Sequence, residues 1–224
     1  MNLRAFSRLA VSTVAVLLGF TTVAHAGPPL ICHAIDIGDA KSLPWVEFNH
    51  TGSTDYDLKN LSRDTLAILG SNTPVLLHME TLRRATIYAR QDPQVAKELI
   101  TRLQARAANS DAAGHPDGLA WFDLGYLAEA YKQWMGNGEP NPAAGLDGYS
   151  WVRKAISLRG SDPEMEFGAA LITLRGSDSA HQDHTRKAMA GAKSDPLLAR
   201  NLGSNFNRQT IAELLTAMPG RSQP

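Results

Sequence analysis

The sequence predicts an all-α chain of stacked helical hairpins behind an irregular N-terminal arm, and three observations carry that expectation. Apolar residues recur at helical spacing from Leu58 onward. Asp92-Pro93, Asp162-Pro163 and Asp195-Pro196 each place a capping carboxylate before a proline whose missing N–H costs nothing at a helix start. No alternating run is strong enough for a sheet, and no hairpin signal accompanies one.

The first 26 residues fall into three zones: a basic start with Arg4 and Arg8, an apolar stretch from Leu9 to about Val23, and Ala24-His25-Ala26 before Gly27. This layout predicts a secretory signal peptide over residues 1–26, cleaved after Ala26. Ser12, Thr13, Gly19, Thr21 and Thr22 interrupt the apolar zone, which falls short of the ~20 apolar residues of a membrane span. Pro29-Leu30-Ile31 before Cys32 lacks the small residues a lipid attachment site needs. The expectation is an exported protein, periplasmic or secreted, with no membrane insertion after cleavage.

Residues 27–57 show neither helical nor strand periodicity and are broken by Pro28, Pro29, Gly38, Pro44 and Gly52. They nevertheless carry Leu30, Ile31, Ile35, Ile37, Leu43, Trp45, Val46 and Phe48, more large apolar groups than a disordered tail keeps. An ordered arm that covers something is expected.

Residues 58–218 form the expected helical domain. Leu58, Leu61, Thr65, Leu66 and Leu69 share one face up to Gly70, and Thr73-Pro74 opens the next helix as cap and first position. Leu76, Met79, Leu82, Thr86 and Ala89 mark that helix, and Val95, Leu99, Leu103 and Ala107 mark the one opened by Asp92-Pro93. From about Pro116 to Trp134 apolar groups occupy two faces, which implies burial between neighbours. A Gly/Pro-rich loop around 136–147 follows, then helices near 148–159, 163–175, 179–191, 196–203 and 208–217, and a flexible tail over 219–224.

Self-comparison adds a repeat. Arg153-Lys154-Ala155 precedes Ser161-Asp162-Pro163, and Arg186-Lys187-Ala188 precedes Ser194-Asp195-Pro196, at a spacing of 33 residues. Arg83-Arg84-Ala85 with Asp92-Pro93 repeats the internal offset farther upstream. A period in the low thirties with two helices per unit resembles the tetratricopeptide repeat. Trp121, Leu124 and Gly125 stand at that family's Trp-x-x-Leu-Gly spacing, Phe167-Gly168 replaces Leu-Gly in the next unit, and Ala155, Leu158 and Asp162-Pro163 match the end of a second helix. The connection around 136–147 is about 11 residues longer than the family's. The resemblance implies a right-handed α-solenoid whose concave surface, built by residues 116–191, binds a polypeptide, with the arm capping one end and residues 196–217 the other. The segment from Cys32 to Trp45 is also similar to the start of an uncharacterised group of exported bacterial proteins, which implies a location and no chemistry.

Charge and motifs narrow the function. The chain holds 22 Lys+Arg against 22 Asp+Glu and a single cysteine, which argues against nucleic-acid binding and excludes a disulfide framework. Phosphate loop, nucleophile elbow, zinc-protease helix, Cys-x-x-Cys and dinucleotide fingerprint are all missing. Cys32-His33 is the sharpest chemical feature. It reads either as a buried thiol that helps the arm pack, or as a metal or haem ligand with His33 and His78, or as a reactive thiol whose base would come from His78 or His50. The packing role is expected, and no cofactor with it. His78 and Glu80 read as helix positions, one buried and one exposed, and His181 and His184 as a solvated face. Trp121, Tyr131, Trp134, Tyr149 and Trp151 gather around the long loop and are the candidate binding residues. The function expected is a non-catalytic adaptor for a protein or peptide partner.

Overall fold

The computed structural model describes residues 27–46, 51–135, 140–176 and 178–206. The expected signal peptide, the helix near 208–217 and the tail lie outside these residues. Helices dominate, as the spacing predicts: α1 (Pro29–Cys32), α2 (Leu61–Ile68), α3 (Val75–Ala89), α4 (Pro93–Ala112), α5 (Gly118–Trp134), α6 (Gly148–Arg159), α7 (Pro163–Thr173), α8 (Asp178–Gly191) and α9 (Pro196–Asn205). A 3-10 turn at Leu58–Asn60 leads into α2.

Two local expectations need correction. The arm contains strand pairing after all, since β1 (Trp45–Val46) and β2 (Thr51–Gly52) run antiparallel with Trp45 opposite Gly52. Two-residue strands are too short to leave an alternating pattern. Thr73 does not cap α3 either. Its hydroxyl donates to the Gly70 carbonyl at 2.7 Å, and the Leu76 N–H of α3 is taken instead by Glu164 Oε2 at 3.0 Å. The Asp-Pro starts behave as expected: Asp92, Asp162 and Asp195 each accept two backbone N–H groups of the helix they open.

Helices α5 and α6 form an antiparallel pair. Gly118 lies against Ala155 and Arg159, while Gly125 lies against Gly148 and Val152. Helices α7 and α8 pair in the same sense, with Pro163 against Gly191, Glu166 beside His184, and the Ala170 carbonyl bonded to His181. Helices α3, α5 and α7 lie side by side and parallel, since Glu164 reaches Leu76, and Gly168 fits against Phe122 and Met79. Their shared core includes Leu76, Met79 and Leu82 of α3, Phe122 and Leu127 of α5, and Phe167 and Leu171 of α7, all buried. Each such side chain is worth about 1.5–3 kcal/mol of transfer free energy.

The repeat marks sort into two phases. Arg153-Lys154-Ala155 and Arg186-Lys187-Ala188 both lie on second helices of a pair, α6 and α8, and Ala155 and Ala188 are fully buried. Arg83-Arg84-Ala85 lies on α3, and its Asp92-Pro93 opens α4 rather than the next pair. That third copy is therefore out of register, because Asp-Pro makes a corner between any two helices.

The arm departs from the expected end cap. It runs along α3, α5 and α7 and meets α9, where Asp36 bonds Asn201. The two segments expected at opposite ends of the stack touch each other.

Candidate functional site

Leu30, Ile31, Ile35 and Leu43 are buried, which answers the question of what the arm's apolar groups cover. The arm is gripped mainly by its backbone. The Leu30 N–H donates to Gln133 Oε1 at 2.9 Å, Arg83 Nη1 to the Ile31 carbonyl at 3.0 Å, and the Ile35 N–H to Glu80 Oε2 at 3.0 Å. Asn201 then clamps the backbone of one residue, accepting from the Asp36 N–H and donating to the Asp36 carbonyl, each at 2.8 Å. Farther along, Arg84 donates to the Leu43 carbonyl at 2.8 Å, and the hydroxyls of Ser42 and Thr81 meet at 2.9 Å. Gripping side chains thus come from α3, α5 and α9.

Glu80 is the hub. It accepts from Arg83 Nε at 2.7 Å, Arg83 Nη2 at 2.8 Å and Arg84 Nε at 2.7 Å, besides the Ile35 N–H. Glu80 and Arg83 are both buried, and Trp45 stacks over the two guanidinium groups at 4.8 and 5.3 Å. A buried carboxylate persists only when its lone pairs are filled in this way. The expectation of one exposed residue among His78 and Glu80 is therefore corrected, since both are buried at 0% and 1% exposure.

His78 serves elsewhere. Nδ1 lies 2.6 Å from Asp123 Oδ1, and Nε2 lies 2.5 Å from Thr73 Oγ1 and 3.1 Å from the Gly70 carbonyl. Burial pushes the Asp123 carboxyl above its ordinary range, against the pull of His78 and Arg106. The order hydroxyl, imidazole, carboxylate looks like a nucleophile's relay, but the Thr73 hydroxyl is turned into its own loop, toward Gly70 and Ile68. Arg106 ties the Leu69 carbonyl to the same carboxylate. The set staples the α2–α3 connection to α5.

The alternative metal set is not brought together. Cys32 is exposed, which corrects the buried-thiol expectation: the single turn of α1 points Leu30 and Ile31 inward and leaves Cys32 outside. His33 follows it, whereas both nitrogens of His78 are engaged in the interior. Among the described residues no group of three or more His, Cys, Asp or Glu is arranged to hold a metal ion.

The aromatic candidates divide among separate places. Trp121 and Trp151 have ring centroids 6.2 Å apart, with the Lys154 ammonium 3.6 Å from the Trp121 centroid and Asp111 bonding both Trp121 Nε1 and Lys154. Trp134 sits at the other end of α5 under Arg90, at 4.7 Å. Tyr149 lies between α6 and α8, where its hydroxyl meets His184 Nε2 at 2.8 Å. Tyr131 is fully buried and donates to the Ala96 carbonyl at 3.3 Å, so as a candidate surface contact it is corrected to a core residue. A helix turns about 100° per residue, so neighbours in sequence such as Tyr149 and Trp151 face different partners.

The expected solvated face at His181 and His184 is also corrected. His184 is buried and bonds Glu166 Oε2 at 2.5 Å, while His181 bonds the Ala170 carbonyl at 2.9 Å and meets Phe206 edge to face. Burial pushes the Glu166 carboxyl up, but hydrogen bonds from His184 and Ser161 and the charges of His184 and Lys187 outweigh it and hold it below its ordinary range. A group with a lowered folded pKa contributes stability above its unfolded pKa and loses it as pH falls through the folded one. Wild type is therefore expected to lose stability below about pH 4.5, with a shallower acid limb in Glu166→Gln. Urea melts from pH 7 to pH 3 check this, and parallel limbs would mean the pair contributes nothing.

A cleft of about 560 Å³ at the starts of α3, α7 and α9 is lined by Thr73, Ser161 and Glu164 among others. Its carboxylates Asp162, Glu164 and Asp195 are engaged with helix N–H groups, so the cleft is a structural corner.

The groove that holds the arm brings side chains of α3, α5 and α9 onto one segment of backbone. No protein family, curated protein or solved structure that was compared matches the chain. The sequence reading missed Gln133, Glu80, Arg83 and Asn201 as its lining. The available signal was a Glu with Arg at the third and fourth positions after it on an otherwise apolar face, and an Asn set between Leu198 and Leu202.

Proposed function

We propose that this chain is an exported helical-repeat protein, tetratricopeptide-like and solenoidal in plan, that acts as an adaptor by binding a segment of a polypeptide. One observation carries the reading: side chains from α3, α5 and α9 hold the arm, a single helical turn followed by irregular chain, through its backbone N–H and carbonyl groups. Backbone bonds supply affinity without regard to sequence, and pockets for alternate side chains supply choice. The paired helices α5/α6 and α7/α8, with α3, α5 and α7 side by side, support the repeat plan. The three-zone start supports export, with the chain beginning at Gly27 after cleavage.

A photo-reactive residue at Ala40, exposed in the arm beside the groove, tests the reading in protein isolated from the exported fraction. The expected result is a polypeptide joined at position 40, none joined from exposed Lys97 on α4, and an N-terminus at Gly27. Equal labelling from both positions, or none, would remove the adaptor reading.

A further inference from the structure

The arm is held at two separate stretches. Residues 27–36 engage Arg175, Gln133, Arg83, Glu80 and Asn201, and residues 42–44 engage Thr81, Arg84 and Tyr88. The second stretch is pinned firmly, because the Tyr88 hydroxyl donates to the Pro44 carbonyl at 2.6 Å and accepts from the Ser53 N–H at 2.7 Å, tying both sides of the β1–β2 hairpin. Between the two stretches Gly38, Asp39, Ala40 and Lys41 are exposed. Gly38 has φ of +59°, and this turn is bonded only within itself among the described residues, through Asp36 to the Gly38 N–H and Ile37 to the Ala40 N–H.

The first stretch seats only part of its side chains in the groove. Its apolar anchors are Leu30, Ile31 and Ile35, while Cys32, Ala34 and Asp36 face outward. The Tyr126 hydroxyl, fully buried and near enough to Glu80 and Arg83 to feel their charges, has no hydrogen-bond partner. Buried hydroxyls are ordinarily satisfied. At the far end Arg200 Nε donates to the Asp36 carboxylate at 2.7 Å, which adds a charge reader beside the Asn201 clamp.

We propose that residues 29–36 are a removable internal ligand, hinged at 37–41, whose place is taken by a segment of another polypeptide with the pattern Leu-Ile-x-x-x-Ile-Asp. The inference rests on the adaptor reading and names its partner chemistry. The aliphatic pair and the later isoleucine fill the sites of Leu30, Ile31 and Ile35, and the acidic residue meets Arg200 while Asn201 bonds its backbone N–H and carbonyl. A tethered occupant competes at an effective concentration near the millimolar range, so an external segment gains access chiefly when the plug is weak or the partner's segment binds more tightly.

The probe is a fluorescein-labelled peptide with the sequence of residues 28–37, serine replacing cysteine, titrated by anisotropy into wild type, Ile35→Ser, and Ile35→Ser with Asn201→Ala. Ile35→Ser weakens the plug and leaves the groove intact, so the peptide is expected to bind it at least 10-fold tighter than wild type. Adding Asn201→Ala should remove that gain. Equal affinity for wild type and a folded Ile35→Ser would overturn the proposal.

Hydrogen exchange on wild type gives an answer that needs no variant. The Ile35 and Asp36 amides should exchange at least 100-fold faster than those of α5, because the plug opens without global unfolding. Exchange as slow as in α5 would overturn the proposal. A polypeptide joined at position 40 with no peptide binding would discard displacement and keep the adaptor reading. Peptide binding with no joined partner would do the reverse.

Discussion

Glu80→Ala is expected to lower folding stability by about 3–5 kcal/mol, the cost typical of breaking a buried ion pair from one side. The substitution strands Arg83, itself only 4% exposed, together with Arg84 and the Ile35 N–H. A large cavity is not the cause, because the guanidinium groups stay where the packing holds them. The measurement is the denaturant midpoint of Glu80→Ala against wild type, with the slope unchanged. A loss under about 1 kcal/mol, the level of exposed pairs, would mean that water reaches the network and that the arm does not cover it.

Gly125→Ala should destabilise, although alanine in a helix interior is ordinarily favoured over glycine by about 0.8–1 kcal/mol. A Cβ at position 125 would lie 2.5 Å from the Gly148 carbonyl oxygen and 2.9 Å from the Val152 nitrogen. Both obstacles are backbone atoms, so α5 and α6 must move apart, and overpacking of this kind costs about 1–3 kcal/mol. Gly125→Val should exceed that range. Gly203→Ala is the control, since position 203 lies on the exposed side of α9 and a Cβ there meets nothing within 4 Å. It should gain stability, and thermal melts of the pair should therefore move in opposite directions. A gain at Gly125 would mean that the two helices do not approach so closely.

Local chemistry made the helix starts legible. Asp92, Asp162 and Asp195 cap in the way their Asp-Pro sequence dictates, because a cap depends on three or four consecutive residues. Burial of the arm's aliphatic groups was legible for a similar reason, since a segment that rich in large apolar side chains must cover something. Its destination was not. Glu80 lies 45 residues from Ile35, and Asn201 lies 165 from Asp36, with no periodicity linking either pair. Thr73 likewise read as a cap from its neighbour Pro74, whereas Glu164, 88 residues from Leu76, supplies the carboxylate. The aromatic residues disperse because closeness in sequence is not closeness in space. Trp134 and Trp121 sit near opposite ends of α5, and Tyr131 points between α5 and α4.

The clamp between Asp36 and Asn201 also sets an order of events during folding. Closing a loop of that length is entropically costly before any contact rewards it, and such distant pairings form late. The arm leaves the ribosome before α3, α5 and α7, which it packs along in the finished molecule, and well before α9, so Leu30, Ile31 and Ile35 wait uncovered until those partners are made. During that interval it is an aliphatic strip of the kind that holding factors bind and that neighbouring nascent chains stick to. The residues that make the groove complete in the finished molecule are thus the ones that most need protection while it is being made.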